Sequence, residues 1–216
     1  MAERYDAWYD SPKGARLFTV ELACIRLALG QPPPHPWLEV GVGTGRFAAA
    51  LAVDEGTDAA AAPLALAAQR GVCVRQAPAE RLPYSEGQFG SVFMIMTLCF
   101  VDNALQALRE CARVLRPDGA AVVTFVPRDS AWGEAYERKA HEGHPFYAAS
   151  VFYLREEVER FAGLAGLCVS ASASCLLEGP DAEVSDYAAP SEGCVPGAGF
   201  VALRLTRAGQ EAGGDS

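Results

Sequence analysis

Apolar residues along the chain form short continuous runs, and between these runs they recur at helical spacing. Apolar runs predict strands at 37–42, 72–76, 91–96, 120–126 and 167–176, and those at 37–42 and 91–96 are expected to be buried. Helical spacing predicts helices at 46–52, 63–71, 103–115, 130–142 and 154–164. The segment at 53–58 is polar, but its position predicts that it is the second strand. Residues 199–205 are predicted to form the last strand. Strands that alternate with helices in this way are typical of an α/β fold with a mostly parallel sheet.

The residues before the first strand divide into a helical stretch and a stiff linker. Residues 4–30 keep an apolar helical face that is interrupted at Ser11-Pro12, and residues 31–36 are dominated by proline. We expect the helical stretch to be either a helix packed on the sheet or a lid that excludes water from a bound ligand. The predicted organisation is a lid and linker at 1–36, one domain at 37–207 and a disordered tail at 208–216.

Composition and charge narrow the classes of partner. The chain of 216 residues suffices for one sizeable domain, and 18 basic against 27 acidic residues give a formal net charge of −9. No dense cluster of lysine and arginine is present, which disfavours nucleic acid and favours a small-molecule partner. No apolar run approaches the ~20 residues that span a bilayer, and the first six residues do not resemble a signal peptide. We therefore expect a cytoplasmic protein without a membrane partner.

Cysteine and histidine give little indication of a metal site. The seven cysteines are scattered and include no C-x-x-C pair, so buried reduced thiols are expected. His141, Glu142 and His144 lie close together near the end of a predicted helix. Solvated side chains at a helix end would explain this group, and a base or a metal ligand is the alternative.

Three glycines at alternate positions follow the first predicted strand. Gly41, Gly43 and Gly45 can adopt positive φ and let a ligand approach the main chain, and the next helix offers free N–H groups. A nucleoside-type cofactor or a structural turn would each explain them. Their G-x-G-x-G spacing differs from the G-x-G-x-x-G of dinucleotide sites, and Glu39 precedes the first glycine by two positions.

An acidic residue at the end of the second strand would accept hydrogen bonds from ribose hydroxyls. Asp54, Glu55 and Asp58 compete for this role. We choose Asp58, because it is followed closely by the next helix and the carboxyl end of a strand must lie just before its helix. The alternative is that Asp58 caps that helix.

Three ordered blocks carry a resemblance to a known family. They are LEVGVGTG at 38–45, AERLPY at 79–84 and RVLRPDG at 113–119. Together they resemble the class I S-adenosylmethionine-dependent methyltransferases of the ubiquinone-biosynthesis type (methyltransferase domain 11). The resemblance implies a Rossmann-like three-layer α/β sandwich, in which a seven-stranded, mostly parallel sheet with one antiparallel strand carries helices on both faces.

The resemblance also implies S-adenosylmethionine as the cofactor and assigns residues to it by position. Glu39 and the glycines would hold its amino-acid part, Asp58 its ribose, and the second block its adenine side. The implied cofactor residues are Glu39, Gly41, Gly43, Gly45, Asp58, Ala59, Ala79, Glu80, Thr97 and Leu98. The chain departs from the family where Gly90, and not aspartate, follows Phe89, and where Ala59, and not proline, follows the ribose acid.

The acceptor pocket is expected above the carboxyl edge of the sheet. Its aromatic and polar candidates, for most of which core packing is the alternative, are Tyr5, Trp8, Thr97, Phe100, Trp132, Phe146 and Tyr147. The resemblance implies in-line methyl transfer to a small-molecule acceptor, and positioning and desolvation can supply ~7–11 kcal/mol of such a barrier without a protein nucleophile. No unambiguous base is present. The rival interpretations are an NAD(P)-dependent oxidoreductase, disfavoured by the glycine spacing, and a sensor that binds the cofactor without transferring its methyl group.

Overall fold

A single eight-stranded sheet organises the computed structural model, which describes residues 6–144 and 147–209. The strands follow the order β3-β2-β1-β4-β5-β8-β6-β7 across the sheet. Their bounds are β1 Trp37–Val40, β2 Glu55–Asp58, β3 Cys73–Gln76, β4 Phe89–Ile95, β5 Leu115–Phe125, β6 Leu167–Cys175, β7 Ser191–Glu192 and β8 Phe200–Arg207. The first five strands pair in parallel, so their carboxyl ends meet at one edge.

The predicted Rossmann-like architecture is confirmed. β8 is antiparallel to both β5 and β6, so β6 runs in the same direction as the first five strands. The seven long strands therefore form a mostly parallel sheet with one antiparallel member. The sheet differs from the predicted seven strands by an eighth, β7, which has two residues and lies at the edge. It falls in a segment whose Gly, Pro and Ser content predicts an exposed connection.

Helices cover both faces of the sheet. Their bounds are α1 Pro12–Leu29, α2 Arg46–Leu51, α3 Ala61–Gln69, α4 Ala104–Val114, α5 Ala131–His141 and α6 Arg155–Leu164. Alternate residues of β4 point to opposite faces: Phe93 packs with residues of α1, α2 and α3, and Met94 packs with residues of α4 and α6. Every residue of β4 is buried, as its continuous apolar run predicts for a central parallel strand.

Helix α1 belongs to the core. Ser11 caps it by accepting a hydrogen bond from the Gly14 N–H at 3.1 Å, and Pro12 occupies its first turn, where no N–H partner is needed. Nine of its residues are buried, and it packs across β5, β6 and β8. Of the two accounts of the N-terminal stretch, packing on the sheet therefore applies to this helix, and a lid could comprise only the residues before Ser11. No helix within 6–144 and 147–209 is long and apolar enough to cross a membrane.

The predicted turn at 116–119 is instead part of β5. Phe89 pairs with Leu115 and Ser91 with Ala120, so β5 accommodates three more residues than β4 at this irregularity. The turn-forming residues thus produce a bulge in a strand whose hydrogen bonds are supplied by a neighbour distant in sequence. Gly90, the departure from the family pattern, lies directly against the linker, since a Cβ there would be 1.8 Å from the Pro34 carbonyl oxygen.

The second and third sequence blocks are joined by one arginine. Arg113 donates from Nη1 to the Tyr84 carbonyl oxygen at 2.7 Å and from Nη2 to the Leu82 carbonyl oxygen at 3.1 Å. Glu110 accepts from Arg113 Nε at 2.6 Å and from the Leu82 N–H at 2.7 Å. These hydrogen bonds, with that from Arg113 largest, lower the pKa of Glu110. Helix α4 therefore positions the loop that follows β3.

Candidate active site

The glycine loop lies at the carboxyl end of β1, between Val40 and the start of α2 at Arg46. Gly41, Gly43 and Gly45 have φ values of +74°, +52° and +77°, a region that other residues rarely adopt. The Thr57 carbonyl oxygen of β2 accepts hydrogen bonds from the N–H groups of Gly41 and Val42 at 2.7 and 2.8 Å. The neighbouring strand thus holds the first turn of the loop.

The three glycines are needed for different reasons. A Cβ on Gly41 would lie 2.2 Å from Thr97 Cγ2, and one on Gly45 would lie 2.8 Å from the Cα atom of Ala67. These two glycines permit close packing of the loop against Thr97, just after β4, and against α3. A Cβ on Gly43 would meet nothing within 4 Å. Gly43 therefore presents bare main chain to open space, where a ligand can approach.

Glu39 is a buried acid, and one of its carboxyl oxygens has no hydrogen-bonding partner. Its side chain is 2% exposed, and Oε2 has no partner. Burial, and secondarily the negative charge of Asp58, raises the pKa of Glu39 well above its ordinary value. Two neighbouring carboxyl groups beside an open loop disfavour a pyrophosphate and favour a ligand that carries positive charge.

Asp58 is the acid at the carboxyl end of β2. Its Oδ2 accepts a hydrogen bond from the Gly43 N–H at 2.9 Å, and its Oδ1 accepts one from the Ala60 N–H at 2.8 Å. Ala60, without a side-chain hydrogen bond, is the N-cap of α3. The alternative that Asp58 caps this helix is therefore wrong, because the helix begins two residues later than such a cap would require.

The other two candidates for the ribose acid point elsewhere. Asp54 Oδ2 accepts from His35 Nδ1 at 2.6 Å and from the Trp37 N–H at 2.7 Å, at the amino end of β1. Glu55 begins β2 and lies 3.5 Å from Arg75 Nε. Of the three acids, Asp58 alone lies at the edge of the sheet where the glycine loop lies. The position of Asp58 supports the proposal that it binds the ribose.

The remaining residues that the resemblance assigns to the cofactor lie around the same edge of the sheet, but they differ in burial and in contacts. Thr97 Oγ1 is 3.2 Å from the Gly41 carbonyl oxygen, directly against the loop. Ala79 is buried, and Glu80 Oε1 accepts from the Asn103 N–H at the start of α4 at 3.0 Å. Ala59 is exposed. Leu98 is fully buried in the core.

The acceptor candidates separate into exposed and buried side chains. Trp8 and Phe100 are 42% and 43% exposed, respectively. Trp132 is buried and donates from Nε1 to the Glu178 carbonyl oxygen at 2.7 Å, so it packs as a core residue. Tyr147 stacks on Tyr136 with ring centroids 4.7 Å apart. Tyr5 and Phe146, also predicted for this pocket, lie outside the described residues.

A small cleft of about 10 Å³, partly open to solvent, lies at the carboxyl ends of β4 and β5. Its lining is mainly apolar and consists of Met96, Cys99, Thr124, Phe125, Val126, Val151, Phe152 and Tyr153. Met96 has a φ of +52°, and its N–H donates to Thr124 Oγ1 at 3.0 Å. Left-handed backbone at a residue with a side chain is uncommon, and such strain often occurs at functional sites. The cleft is a candidate for acceptor binding, since Met96 immediately precedes Thr97.

Sequence reasoning missed Asp6, which ties the N-terminal segment to the glycine loop. Asp6 is buried and accepts hydrogen bonds from Thr44 Oγ1 at 2.6 Å, Arg46 Nε at 2.8 Å and Arg70 Nη2 at 2.8 Å. Arg70 Nη1 also donates to the Thr44 carbonyl oxygen at 2.6 Å. Arg46, directly after the glycine block, was the available signal, because a cation beside a buried loop needs an anionic partner.

These contacts change the acidity of Asp6. Burial by itself would raise its pKa, but hydrogen bonds from Arg46, Thr44 and Arg70 lower it to about 2. The stabilisation is therefore present above the pKa of an unfolded aspartate, ~3.9, and is lost as the pH falls toward 2.

Replacing Asp6 with asparagine is expected to lower the free energy of unfolding by about 1–3 kcal/mol at pH 7, because two partly buried arginines lose their shared anion. The matched control is Asp10→Asn, since the Asp10 side chain is 68% exposed and accepts a hydrogen bond from Arg46 Nη2 at 2.8 Å. Urea unfolding at pH 7 and pH 3 measures both variants, and the effect of Asp6→Asn should shrink at pH 3. Equal effects of the two substitutions would contradict this role for Asp6.

The histidines are placed away from any metal-binding arrangement. Among the described residues, no group of three His, Cys, Asp or Glu side chains could hold a metal ion. His144 lies beside Tyr147, with ring centroids 5.1 Å apart. His35 stacks on Trp37 at 4.1 Å near the amino edge of the sheet, opposite the glycine loop.

Comparison with known proteins places this geometry in a family. The family model described as a methyltransferase domain matches residues 38–123. An uncharacterized protein of Mycobacterium tuberculosis is 40% identical over 202 residues, covering 94% of this chain and 70% of the relative. One of Methanocaldococcus jannaschii is 30% identical over 158 residues, covering 73% and 75%. A SAM-dependent methyltransferase structure from Thermotoga maritima, described as a possible histamine N-methyltransferase, is 30% identical, covers 95% of both chains and has a TM-score of 0.84. The chain belongs to the S-adenosylmethionine-dependent methyltransferases.

S-adenosylmethionine is accordingly the cofactor of this methyltransferase-family chain. The matched segment runs from β1 into β5, and so includes the glycine loop, Asp58 and the carboxyl end of β4. The observed site fits this cofactor, since Gly43 leaves its main chain open and Glu39 offers an unpartnered buried carboxyl oxygen. The predicted family and cofactor are both confirmed.

Proposed function

We propose that the protein transfers the methyl group of S-adenosylmethionine to a small-molecule acceptor. The observation that carries the proposal is the open main chain at Gly43, flanked by the carboxyl groups of Glu39 and Asp58. S-adenosylmethionine carries positive charge and no phosphate, so these acids favour it over a dinucleotide. This charge pattern disfavours the oxidoreductase interpretation for the same reason.

Each residue of the site has a distinct task in this proposal. Glu39 binds the amino group of the cofactor. This positively charged group is the partner that one Glu39 carboxyl oxygen otherwise lacks. Asp58, already held by the Gly43 N–H, accepts the ribose hydroxyls, and Ala79 and Glu80 border the adenine. Thr97 and Leu98 would lie beside the methionine portion. When bound, the cofactor supplies an electrophilic methyl group on a positively charged sulfur.

The acceptor is proposed to be a small molecule that enters the cleft beside Met96. The net charge of −9 disfavours an anionic polymer. Residues 6–10, which Asp6 ties to the glycine loop, would cover the site. All seven cysteines are unpaired, which agrees with a proposed cytoplasmic location.

Binding and transfer are tested separately. Calorimetry is expected to give saturable binding of S-adenosylmethionine and of its demethylated product, S-adenosylhomocysteine, and no binding of NAD or NADP. Methyl-labelled cofactor is then incubated with a panel of small amines, phenols and carboxylic acids, and transfer of label to one of them is expected. Binding of a dinucleotide without the sulfonium cofactor would refute the proposal. Tight cofactor binding with no labelled product would favour the rival sensor function.

A further inference from the structure

Asp6 holds the middle of the glycine loop from outside the sheet. Thr44 lies between Gly43 and Gly45, and its Oγ1 donates to Asp6 Oδ1 at 2.6 Å. The Thr44 carbonyl oxygen accepts a hydrogen bond from Arg70 Nη1 at 2.6 Å, and Arg70 Nη2 donates to Asp6 Oδ2 at 2.8 Å. One ion pair therefore fixes both the side chain and the carbonyl group of Thr44, next to the open main chain of Gly43.

The first part of the loop is supported by β2 instead. The Thr57 carbonyl oxygen and Asp58 accept hydrogen bonds from the N–H groups of residues 41–43. The contacts from the N-terminal segment and from the end of α3 reach the loop one residue later, at Thr44. A loop that is already held in its binding conformation loses less conformational entropy when a ligand binds, so affinity increases.

Stability alone does not explain the ion pair between Asp6 and the two arginines. The side chains of Asp6, Arg46 and Arg70 are 12%, 20% and 27% exposed, so the pair is largely removed from water. The cost of desolvation offsets much of the attraction, and apolar side chains of similar volume are often at least as stabilising. The best-attested use of such a group is to select one arrangement of the chain. Here that arrangement is the conformation of the glycine loop at Thr44.

Arg46 couples residues 6–11 to the same loop. It is the first residue of α2, directly after the loop, and its Nε donates to Asp6 Oδ1 at 2.8 Å. Its Nη2 donates to Asp10 Oδ1 at 2.8 Å, and its guanidinium lies 5.6 Å from the centroid of the Tyr9 ring. Because one side chain contacts three residues of the segment, the position of the segment and that of the loop depend on each other.

We propose that Asp6 is a positioning residue for the cofactor, which holds Thr44 so that the glycine loop is already in the conformation that binds S-adenosylmethionine. This inference rests on the proposed cofactor position at Gly43. Asp6 acts through Thr44 and through the two arginines that it pairs with. Because coupling between two sites is reciprocal, bound cofactor also stabilises residues 6–11 in their observed position.

Asp6→Ala is the diagnostic variant, because an asparagine could still accept the hydrogen bond from Thr44. Calorimetry at pH 7 with S-adenosylhomocysteine measures binding without turnover, on variants that circular dichroism shows to be folded. Asp6→Ala is expected to weaken binding at least fivefold, since the loop must then be ordered on binding. Asp10→Asn removes an acid that pairs with Arg46 but does not contact Thr44, and its affinity should stay within twofold of the wild type.

Ser130→Ala separates positioning from a general loss of stability. Ser130 caps α5 by accepting a hydrogen bond from the Gly133 N–H at 3.0 Å, and loss of this cap destabilises the protein away from the glycine loop. Its affinity for S-adenosylhomocysteine should stay within twofold of the wild type. If it weakens binding as much as Asp6→Ala does, reduced stability explains both results and the inference is overturned.

Thr44→Val tests the contact from the side of the loop and leaves Asp6 paired with both arginines. It should weaken binding at least threefold, and adding it to Asp6→Ala should cause less than a twofold further loss, since both remove the same hydrogen bond. Thr44→Ser keeps the hydroxyl group and should bind as the wild type does. If Asp6→Ala does not fold, Thr44→Val decides, and unchanged affinity in that variant overturns the inference.

Hydrogen exchange provides a readout of the coupling to the N-terminal segment. The N–H groups of Tyr9, Asp10 and Ser11 donate to the carbonyl oxygens of residues 6–8, so their exchange reports whether the segment keeps its conformation. S-adenosylhomocysteine should slow this exchange at least threefold in the wild type and have little effect in Asp6→Ala. Wild-type affinity in Asp6→Ala, or an equal response of exchange in both proteins, would overturn the inference. Failure of the wild type to bind S-adenosylhomocysteine would refute the proposed function itself.

Discussion

Replacing Gly43 with leucine is expected to abolish S-adenosylmethionine binding while the fold is retained. A Cβ at this position meets no protein atom within 4 Å, so the new side chain would fill the space that the cofactor needs. We expect at least a hundredfold loss of affinity by calorimetry, which corresponds to about 2.7 kcal/mol. A left-handed conformation also costs roughly 1–2 kcal/mol for a residue with a Cβ, so a fall in melting temperature is expected as well.

Gly87→Leu separates this backbone strain from the loss of the site. Gly87 has a similar φ of +63° and equally open surroundings, but its N–H bonds to the Arg113 carbonyl oxygen outside the glycine loop. It should lower the melting temperature as much as Gly43→Leu does and leave cofactor affinity unchanged. If Gly43→Leu binds S-adenosylmethionine with unchanged affinity, the proposed position of the cofactor is wrong.

Glu21→Gln is expected to make the protein progressively more stable than the wild type as the pH rises. The folded pKa of Glu21 is raised from 4.5 to about 8, so the burial penalty is absent below 4.5 and complete above 8. Between pH 5 and pH 9 the difference in unfolding free energy should shift by roughly 3–5 kcal/mol in favour of the variant, at 1.36 kcal/mol for each pKa unit.

Urea unfolding curves at pH 5, 7 and 9 measure this shift. Comparison with the wild type at each pH cancels the contribution of other titrating groups, including Glu39. A pH-independent difference between Glu21→Gln and the wild type would show that Glu21 is ionised over the whole range, contrary to its burial.

Local patterns were sufficient for most of the architecture. The apolar run of β4, the glycines after β1 and the amphipathic spacing of α4 each depend on residues close in sequence, and each appears as predicted. The bounds differed mainly where pairing with a distant strand overrides local preference. Proline, aspartate and glycine at 117–119 favour a turn, yet the ladder to β4 makes them a bulge within β5.

Roles of single side chains were harder to predict because they depend on contacts between distant residues. The choice of Asp58 over Asp54 and Glu55 followed from the direction of β2, which the βαβ pattern indicates. Its hydrogen bond to the Gly43 N–H did not follow from any pattern. Trp132 had aromatic character suited to a pocket, but Gly199 leaves no room beside its ring and it packs in the core.

The sequence by itself determined the α/β class, the glycine loop and the cofactor family, because spacing within a strand–loop–helix unit is a local property. Only the tertiary structure revealed that Asp6 joins Arg46 and Arg70, which lie 40 and 64 residues further along the chain. It also decided which glycine faces open space and which acids are buried. Those properties depend on what packs around a residue, and distant parts of the chain supply that packing.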